Sequence, residues 1–489
     1  MQYEDPLPLI TKVPLPPSPS QIMHVVHNQP YVSFLDSGLR SENLGRYSFI
    51  ATDPFMIMKS RGAHIIIQSG TEEEHIYDNP FDVLDNLLKK YEKPDWNALP
   101  LPFPCGAIGY LGYDLCHFIE TLPSTAIDDL LLPDSCFVFY DVAVAFDHLS
   151  NSTYIVSTGF PEVDVSKRLK RASERTEEMQ ALLSAASTTF PIDGLSLEND
   201  GMLGTNTYPP IPKSNFSPQE YMEAVERVRE YIAAGDVFQV NLSQRFEVDC
   251  PPDAYKLYKH LQNNAPAPFG AYLQLGDVTI LSNSPERFLK VEGNSVETRP
   301  MKGTRPRKSS PIEDAAQANE LVNSTKDKAE NIMIVDLERN DLGRVCRYGT
   351  VRVRELLSLE KYATVFQLTS TIEGTLLPHK RRIDLLKACF PGGSITGAPK
   401  VRAMEIIDEL EPNKRSVYTG AIGYFGFGGQ MDFNIAIRTI LMTKGKAYFQ
   451  VGGGIIYDSD PEKEYQETLD KAQAIFNALR LSPTPSTAL

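Results

Sequence analysis

A chain of 489 residues, 42% of them hydrophobic, can bury a large core and holds roughly two to four domains' worth of structure. Its formal net charge of −15 repels nucleic acid and anionic membrane surfaces, so neither is expected as a partner, and an anionic substrate would need its own cationic site. No apolar run approaches the roughly 18–20 residues that a membrane span requires, and Met1-Gln2-Tyr3-Glu4-Asp5-Pro6 lacks the basic and apolar regions of a signal peptide.

Short strand-like runs come first, at Tyr31 to Leu35 and Ala63 to Ile67, followed by helical patterns at Phe81 to Tyr91 and Val165 to Ala186. The mixture is α+β rather than a regular βαβ alternation. Over residues 184–215, Ser, Thr, Pro, Gly and Asn accumulate, which predicts a linker or long surface loop between a region at 1–183 and a second domain at 216–482. The second region opens on Ser217-Pro218-Gln219-Glu220, a capping box with proline at the first helical position. Tyr221, Val225, Val228 and Ile232 then recur at helical spacing, and Gly235 closes the helix. A strand is predicted from Val237 to Phe246, and glycine-rich strands over Tyr418 to Phe427 and Tyr448 to Tyr457.

Two acidic helices carry the first candidate chemistry. Asp327 and Glu330 are three apart and share a face, as do Glu464, Glu467 and Lys471 on a last helix that opens at Asp460-Pro461. If the faces meet, four carboxylates surround a small volume and need a counter-cation. After residue 213 only His260 and His379 remain, and the six cysteines form no C-x-x-C pair, so an all-oxygen site suits Mg²⁺ rather than zinc. The scattered cysteines read as reduced thiols of a cytoplasmic protein. Spacing alone also describes two solvated helix faces, the commoner arrangement.

Glycine-rich stretches are the second candidate. Gly392-Gly393-Ser394-Ile395-Thr396-Gly397-Ala398-Pro399-Lys400 and Gly452-Gly453-Gly454, the latter placed after a strand, let backbone N–H groups approach an anion, or simply make tight turns. The first fails the P-loop pattern, because proline precedes its lysine. Arg438 falls in a predicted strand on the face of Asn434 and Ala436, suited to a carboxylate, although an isolated strand arginine is more often a surface residue. Glu286, in Ser282 to Phe288, is a turn residue or a general acid. Lys302, between Pro300-Met301 and Gly303, is a fixed point charge or a nucleophile.

Together these segments resemble the chorismate-utilising enzymes, the family of anthranilate synthase component I, aminodeoxychorismate synthase component I and the isochorismate and salicylate synthases. The motifs are Gln239 to Phe246, Ser284-Pro285-Glu286, Arg299 to Thr304, Ala329-Glu330 through Asp341, Gly392 to Lys400, Tyr418 to Tyr424, Gly452 to Gly454 and Glu464 to Ala472, in an almost unbroken match over about residues 215 to 480. Ser33 to Ser37 and Gly45 to Ile50 look like the amino-acid-binding region of two branches, with Ser37 and Arg46 in an effector pocket.

The resemblance implies an α+β fold with antiparallel sheets in a sandwich-like core and helices outside. It implies Mg²⁺ on Glu330 and Glu467, with Asp327 and Glu464 acting through water, and the ring carboxylate of chorismate on the metal beside Lys471. Arg438, Tyr418 and the backbone of Gly452, Gly453 and Gly454 would receive the enolpyruvyl carboxylate, and Thr396 would line the pocket. Glu286 would protonate the departing C4 hydroxyl. Gln239 stands where the isochorismate and salicylate branches place a water-activating lysine. Lys302 stands where anthranilate synthases carry alanine and aminodeoxychorismate synthases a lysine that attacks C2. The expectation is amination of chorismate with ammonia from a separate glutamine amidotransferase subunit, with the anthranilate branch as the alternative. Phe366 replaces a histidine expected near the substrate ring.

Overall fold

The computed structural model describes residues 6–39, 44–103, 105–189, 212–249, 253–362 and 365–479. Its core is two antiparallel sheets of twelve strands each, flanked by helices. One sheet runs through Ser33–Asp36, Phe269–Gln274, Thr279–Ser284, Thr439–Thr443, Lys446–Ile455 and Gln239–Asp249 in that order. The other runs through Met301–Pro306, Val365–Thr375, Ser295–Arg299, Arg287–Glu292, Met431–Ile435, Ala421–Gly426 and Gly106–Leu111. The sheets meet face to face: Phe49 of the first and Tyr424 of the second pack edge-on with ring centroids 5.8 Å apart.

Strands from both sides of the 184–215 segment hydrogen-bond to each other in both sheets, Ser33–Asp36 with Phe269–Gln274 and Gly106–Leu111 with Ala421–Gly426. The composition change in that segment therefore does not coincide with a break in either sheet. The helix that begins at Val165 runs through Thr189, so residues 184–189 of the expected linker are helical, and residues 190–211 lie outside the described residues.

The local signals hold where the chemistry is local. Ser217 Oγ accepts from the Glu220 N–H and Glu220 returns the bond to the Ser217 N–H, opening the helix Pro218–Ala234, which Gly235 ends at φ +85°. Asp460 caps the last helix, Pro461–Leu479, by accepting from the Lys463 N–H at 3.1 Å. The five described cysteines are free and buried. None of the described helices is long and apolar enough to cross a membrane.

Two local expectations need correction. Gly452 to Gly454 do not follow a strand but lie inside one, Lys446–Ile455, as the glycine-rich strand expected over Tyr448 to Tyr457 has it, paired with Ser243, Leu242 and Asn241. Arg438 is not in a strand. The chain leaves one sheet at Ile435 and enters the other at Thr439, and Arg438 forms the bend between them at φ +49°. A left-handed backbone costs a non-glycine residue roughly 1–2 kcal/mol, and such conformations collect at functional sites.

Candidate active site

Lys302 lies on the strand Met301–Pro306, and Gly303 behind it makes a bulge where the register against Val365–Thr375 shifts. Gly303 sits at φ +79°, and a Cβ there would press 2.8 Å from Leu321 and 3.1 Å from Asp327. The bulge aims Lys302 at the helix Thr325–Gly343, where Nζ stands 2.9 Å from Glu330 Oε1. Gln239 Nε2 donates to the same oxygen at 2.9 Å. Burial pushes the Glu330 carboxyl up, but Lys302, Gln239 and Lys471 outweigh it and hold Glu330 below the usual carboxylate range.

The two acidic helices do meet, across the glycine strand. A Cβ on Gly454 would lie 2.0 Å from Gln239 Nε2 and 2.9 Å from Glu330 Oε1, and one on Gly453 would lie 3.2 Å from Glu464 Oε2 and 3.6 Å from Glu467 Oε1. Only a strand without side chains admits carboxylates from both helices so closely. Lys471 Nζ pairs with Glu467 at 2.8 Å and donates to the Gly452 carbonyl at 2.9 Å. Burial holds Glu467 up, yet Lys471 and Lys326 bring it below the usual range. Glu464 is raised by burial and by the charge of Glu467, against a 2.7 Å bond from Ser459 Oγ. This oxygen-only donor set around a Cβ-free cradle fits Mg²⁺ on Glu330 and Glu467, with Glu464 behind. The ammonium groups of Lys302 and Lys471 engage those two carboxylates, and no ready-made cluster of three His, Cys, Asp or Glu ligands occurs among the described residues. Asp327 is engaged elsewhere: it pairs with Arg305 at 3.2 Å beneath Gly303, supporting the Lys302 bulge.

Glu286 is buried beside Lys302. Met301 N–H donates to its Oε1 at 3.4 Å, and the nearby Ser394 side chain and the charge of Lys302 lower its proton affinity. Burial nevertheless outweighs these groups and raises its carboxyl to about 7. The glycine-rich loop that carries Ser394 folds on itself, with Thr396 Oγ1 donating to the Gly392 carbonyl at 3.0 Å and the Thr396 carbonyl accepting from Asn241 N–H at 2.8 Å. Thr396 is fully buried and its hydroxyl is spent inside the loop. Burial also raises the Tyr418 phenol, to about 12, against the opposing charge of Arg415 and the side chains of Asn241 and Ser243. Arg438 has no carboxylate partner among the ion pairs of the described residues, and burial lowers its proton affinity, with Tyr362 opposing. An unpaired guanidinium so placed can receive a carboxylate.

Several residues that position these groups are not evident from sequence. Arg415 pairs with Glu411 at 2.6 Å in full burial and donates to the carbonyls of Ile395 and Asn241 and to Thr419 Oγ1, while Glu411 accepts from Ser243. One ion pair thus ties the glycine-rich loop, the Gln239 strand and the Tyr418 turn together, and breaking it by removing one partner costs about 3–5 kcal/mol. Side-chain atoms of Gln239 (Oε1), Asn331 (Nδ2), Gln367 (Oε1 and Nε2) and Thr369 (Oγ1) are buried without a hydrogen-bond partner. Each is open to a polar partner, and leaving such a group unpaired costs roughly 1–3 kcal/mol. Phe366 is not among the open groups: it packs with Leu321 and Leu368 beneath the Arg307 guanidinium, 4.7 Å away, and the open amide belongs to its neighbour Gln367.

A cavity of about 390 Å³ lies apart from Lys302, between the sheets, lined in part by Ser37, Arg46, Phe49, Gly270 and Tyr424. Both residues expected there are present, but Ser37 Oγ donates to the Tyr47 carbonyl at 2.7 Å and Arg46 pairs with Asp147 at 2.8 Å.

The chain matches the chorismate binding enzyme family over residues 46–477. It is 40% identical to aminodeoxychorismate synthase component 1 of Bacillus subtilis (strain 168), covering 91% of each chain. It is 37% identical to anthranilate synthase component 1 of Acetivibrio thermocellus, covering 91% of this chain and 89% of that one. The crystal structure of anthranilate synthase component I from Streptococcus pneumoniae TIGR4 superposes with a TM-score of 0.75 at 33% identity, covering 89% of this chain and 93% of that one. The chain belongs to the chorismate binding enzyme family.

Proposed function

We propose that this enzyme aminates chorismate to 4-amino-4-deoxychorismate, a precursor of p-aminobenzoate and folate, with ammonia delivered by a separate glutamine amidotransferase subunit. The observation that carries the reading is the pairing of a nearly buried lysine, Lys302, with a buried, protonatable carboxyl, Glu286, on a site walled by glutamates. Once its ammonium proton has passed to solvent, Lys302 Nζ attacks C2 of the ring, both ring double bonds shift by one position, and the C4 hydroxyl leaves as water with the proton of Glu286. Ammonia then adds at C4, both double bonds shift back, and the C2–N bond to Lys302 breaks. The ionised Glu286 takes the proton that the incoming amine releases. The sum is chorismate plus ammonia to aminodeoxychorismate plus water. Arg438 and Tyr418 hold the enolpyruvyl carboxylate, and the Gly452–Gly454 backbone lets it approach closely. Glu330 and Glu467 would hold Mg²⁺, whose positive charge would neutralise the ring carboxylate. Relatives bear the name component 1, which supports a partner subunit for this chain.

Incubation with chorismate, Mg²⁺ and ammonia should yield aminodeoxychorismate, read as p-aminobenzoate after a lyase is added. Fluorescent anthranilate without p-aminobenzoate would overturn the reading in favour of the anthranilate branch, to which 37%-identical relatives are assigned by name. Ser37 and Arg46 are proposed as part of an amino-acid effector pocket, supported by the cavity they share with Phe49 and Tyr424.

Glu467 tests the metal without disturbing the proposed nucleophile, since Lys302 pairs with Glu330 whereas the partner of Glu467 is Lys471. Mg²⁺ at about 100 times its Kd should stabilise the wild type by about 2.7 kcal/mol. Glu467→Gln should lose most of that rise in Tm at the same Mg²⁺ concentration. An undiminished rise in the variant would place the ion elsewhere.

A further inference from the structure

We infer that Glu338 is a positioning residue for the acid Glu286, acting through the backbone of Gly393. The inference rests on the reading of Glu286 as the proton donor. Glu338 lies two turns beyond Glu330 on the helix Thr325–Gly343, and its side chain is buried. Its Oε1 accepts from the Gly393 N–H at 2.9 Å, while Oε2 is buried with no partner. Gly393 is pressed against this helix so closely that a Cβ would lie 2.6 Å from Leu337 Cδ2 and 3.1 Å from Glu338 Oε1. The next residue, Ser394, stands near enough to the Glu286 carboxyl for its side chain to lower that group's proton affinity. The connection is thus short: helix carboxyl, loop amide, loop hydroxyl, catalytic carboxyl.

The charged groups that face Glu338 are Asp341 one turn on, Lys400, and Glu286 itself. Lys400 holds Asp341 at 2.5 Å and also donates to the Cys389 carbonyl, and Arg344 acts on Asp341 from beyond. Burial, then the charge of Asp341, raises Glu338 above the usual carboxylate range and so favours its neutral form, and Oε1 is the oxygen that faces Gly393. A hydrocarbon would fill this interior at less cost, so what the carboxyl adds is the acceptor for the loop N–H. Without it, Gly393 N–H is left unpaired and Ser394 is freed from its place beside Glu286. The Ser394 side chain pulls the Glu286 proton affinity down, so its loss moves that affinity up and spoils the direction in which the proton is given.

The test compares Glu338→Gln, which keeps an acceptor oxygen, with Glu338→Leu, which does not. In Glu338→Leu, kcat for chorismate consumption should fall about tenfold or more while KM stays within about twofold, and the alkaline limb of the kcat profile should move to higher pH. Amide hydrogen exchange in the segment 390–396 should quicken in the same variant. Glu338→Gln should keep the wild-type kcat, pH limb and exchange. Wild-type kinetics and exchange in Glu338→Leu would overturn the inference, and so would an equal loss of kcat in Glu338→Gln with undisturbed exchange, which would assign the role to charge. If the wild type consumes no chorismate, the functional reading fails separately, and unchanged exchange in Glu338→Leu would still overturn the anchoring of the loop.

Discussion

Lys302→Ala is expected to lower chorismate turnover by about a thousandfold or more and to abolish any covalent adduct between chain and substrate. The side chain has one direction to go. Its strand is paired on Val365–Thr375, the Gly303 bulge fixes the turn of the backbone, and Leu321 and Asp327 close the space behind. Nζ therefore stays at Glu330, 12% exposed, where a substrate held by Arg438 and the metal carboxylates would meet it. Lys302→Arg separates the two roles that a lysine here can have. Arginine keeps the positive charge beside Glu330 but stays protonated at any working pH, so it can pair and cannot attack. Both variants should be inactive and neither should show, by mass spectrometry of a quenched reaction, the mass of chorismate less water. An arginine variant that turns over chorismate would reduce Lys302 to a fixed charge. An adduct in the alanine variant would move the nucleophile to another residue. The fold should tolerate the change, because Gln239 and Lys471 still compensate Glu330.

Much of the site is legible in the sequence because the chemistry is written in short segments. The capping box at Ser217 and the acidic spacing of Glu464, Glu467 and Lys471 each depend on neighbours a turn away. What escapes is set by residues far off along the chain. Gly453 and Gly454 read both as part of a strand and as a loop, because glycines weaken strands, and what decides for the strand is remote: Glu464, Glu467, Gln239 and Glu330 occupy the space where their side chains would be. Arg438 reads as a strand residue because its neighbours are β-branched and apolar, and the change of sheet at Ala436 to Arg438 has no local signature. Asp327 shares the spacing of Glu330 but meets Arg305 from the strand below, a contact that periodicity does not contain. Glu338 and Asp341 did leave a signal. They interrupt the buried stripe of Ile334 and Leu342 with acids, and a buried acid asks for a partner.

Glutamine in place of Glu286 is expected to act in opposite directions on activity and on stability. The carboxyl is 4% exposed, and burial raises it from an ordinary 4.5 to about 7 against the pull of Ser394, Lys302 and the Met301 N–H. A folded-state value above the unfolded one means that the fold favours the protonated acid. Its contribution is fully present below the unfolded value, near 4.5, and is lost as the pH rises through about 7. Above that, the native protein carries a buried carboxylate at a cost of roughly 3 kcal/mol relative to the neutral acid. Glutamine has the same shape and no charge to bury. Glu286→Gln should therefore melt close to the wild type near pH 5 and above it near pH 8.5. It should also lose about 10²–10⁴ in turnover at every pH, because the amide has no proton to give the leaving hydroxyl. Wild-type turnover should fall as the pH rises past about 7, on the limb where Glu286 ionises. Thermal melts and chorismate consumption at the two pH values decide both halves. A variant less stable than wild type at pH 8.5 would show that the carboxylate is compensated in the fold, and retained turnover would take the acid's role from Glu286. The two halves share one cause: the burial that keeps this carboxyl protonated up to near-neutral pH is the burial that the folded protein must bear once the proton has gone.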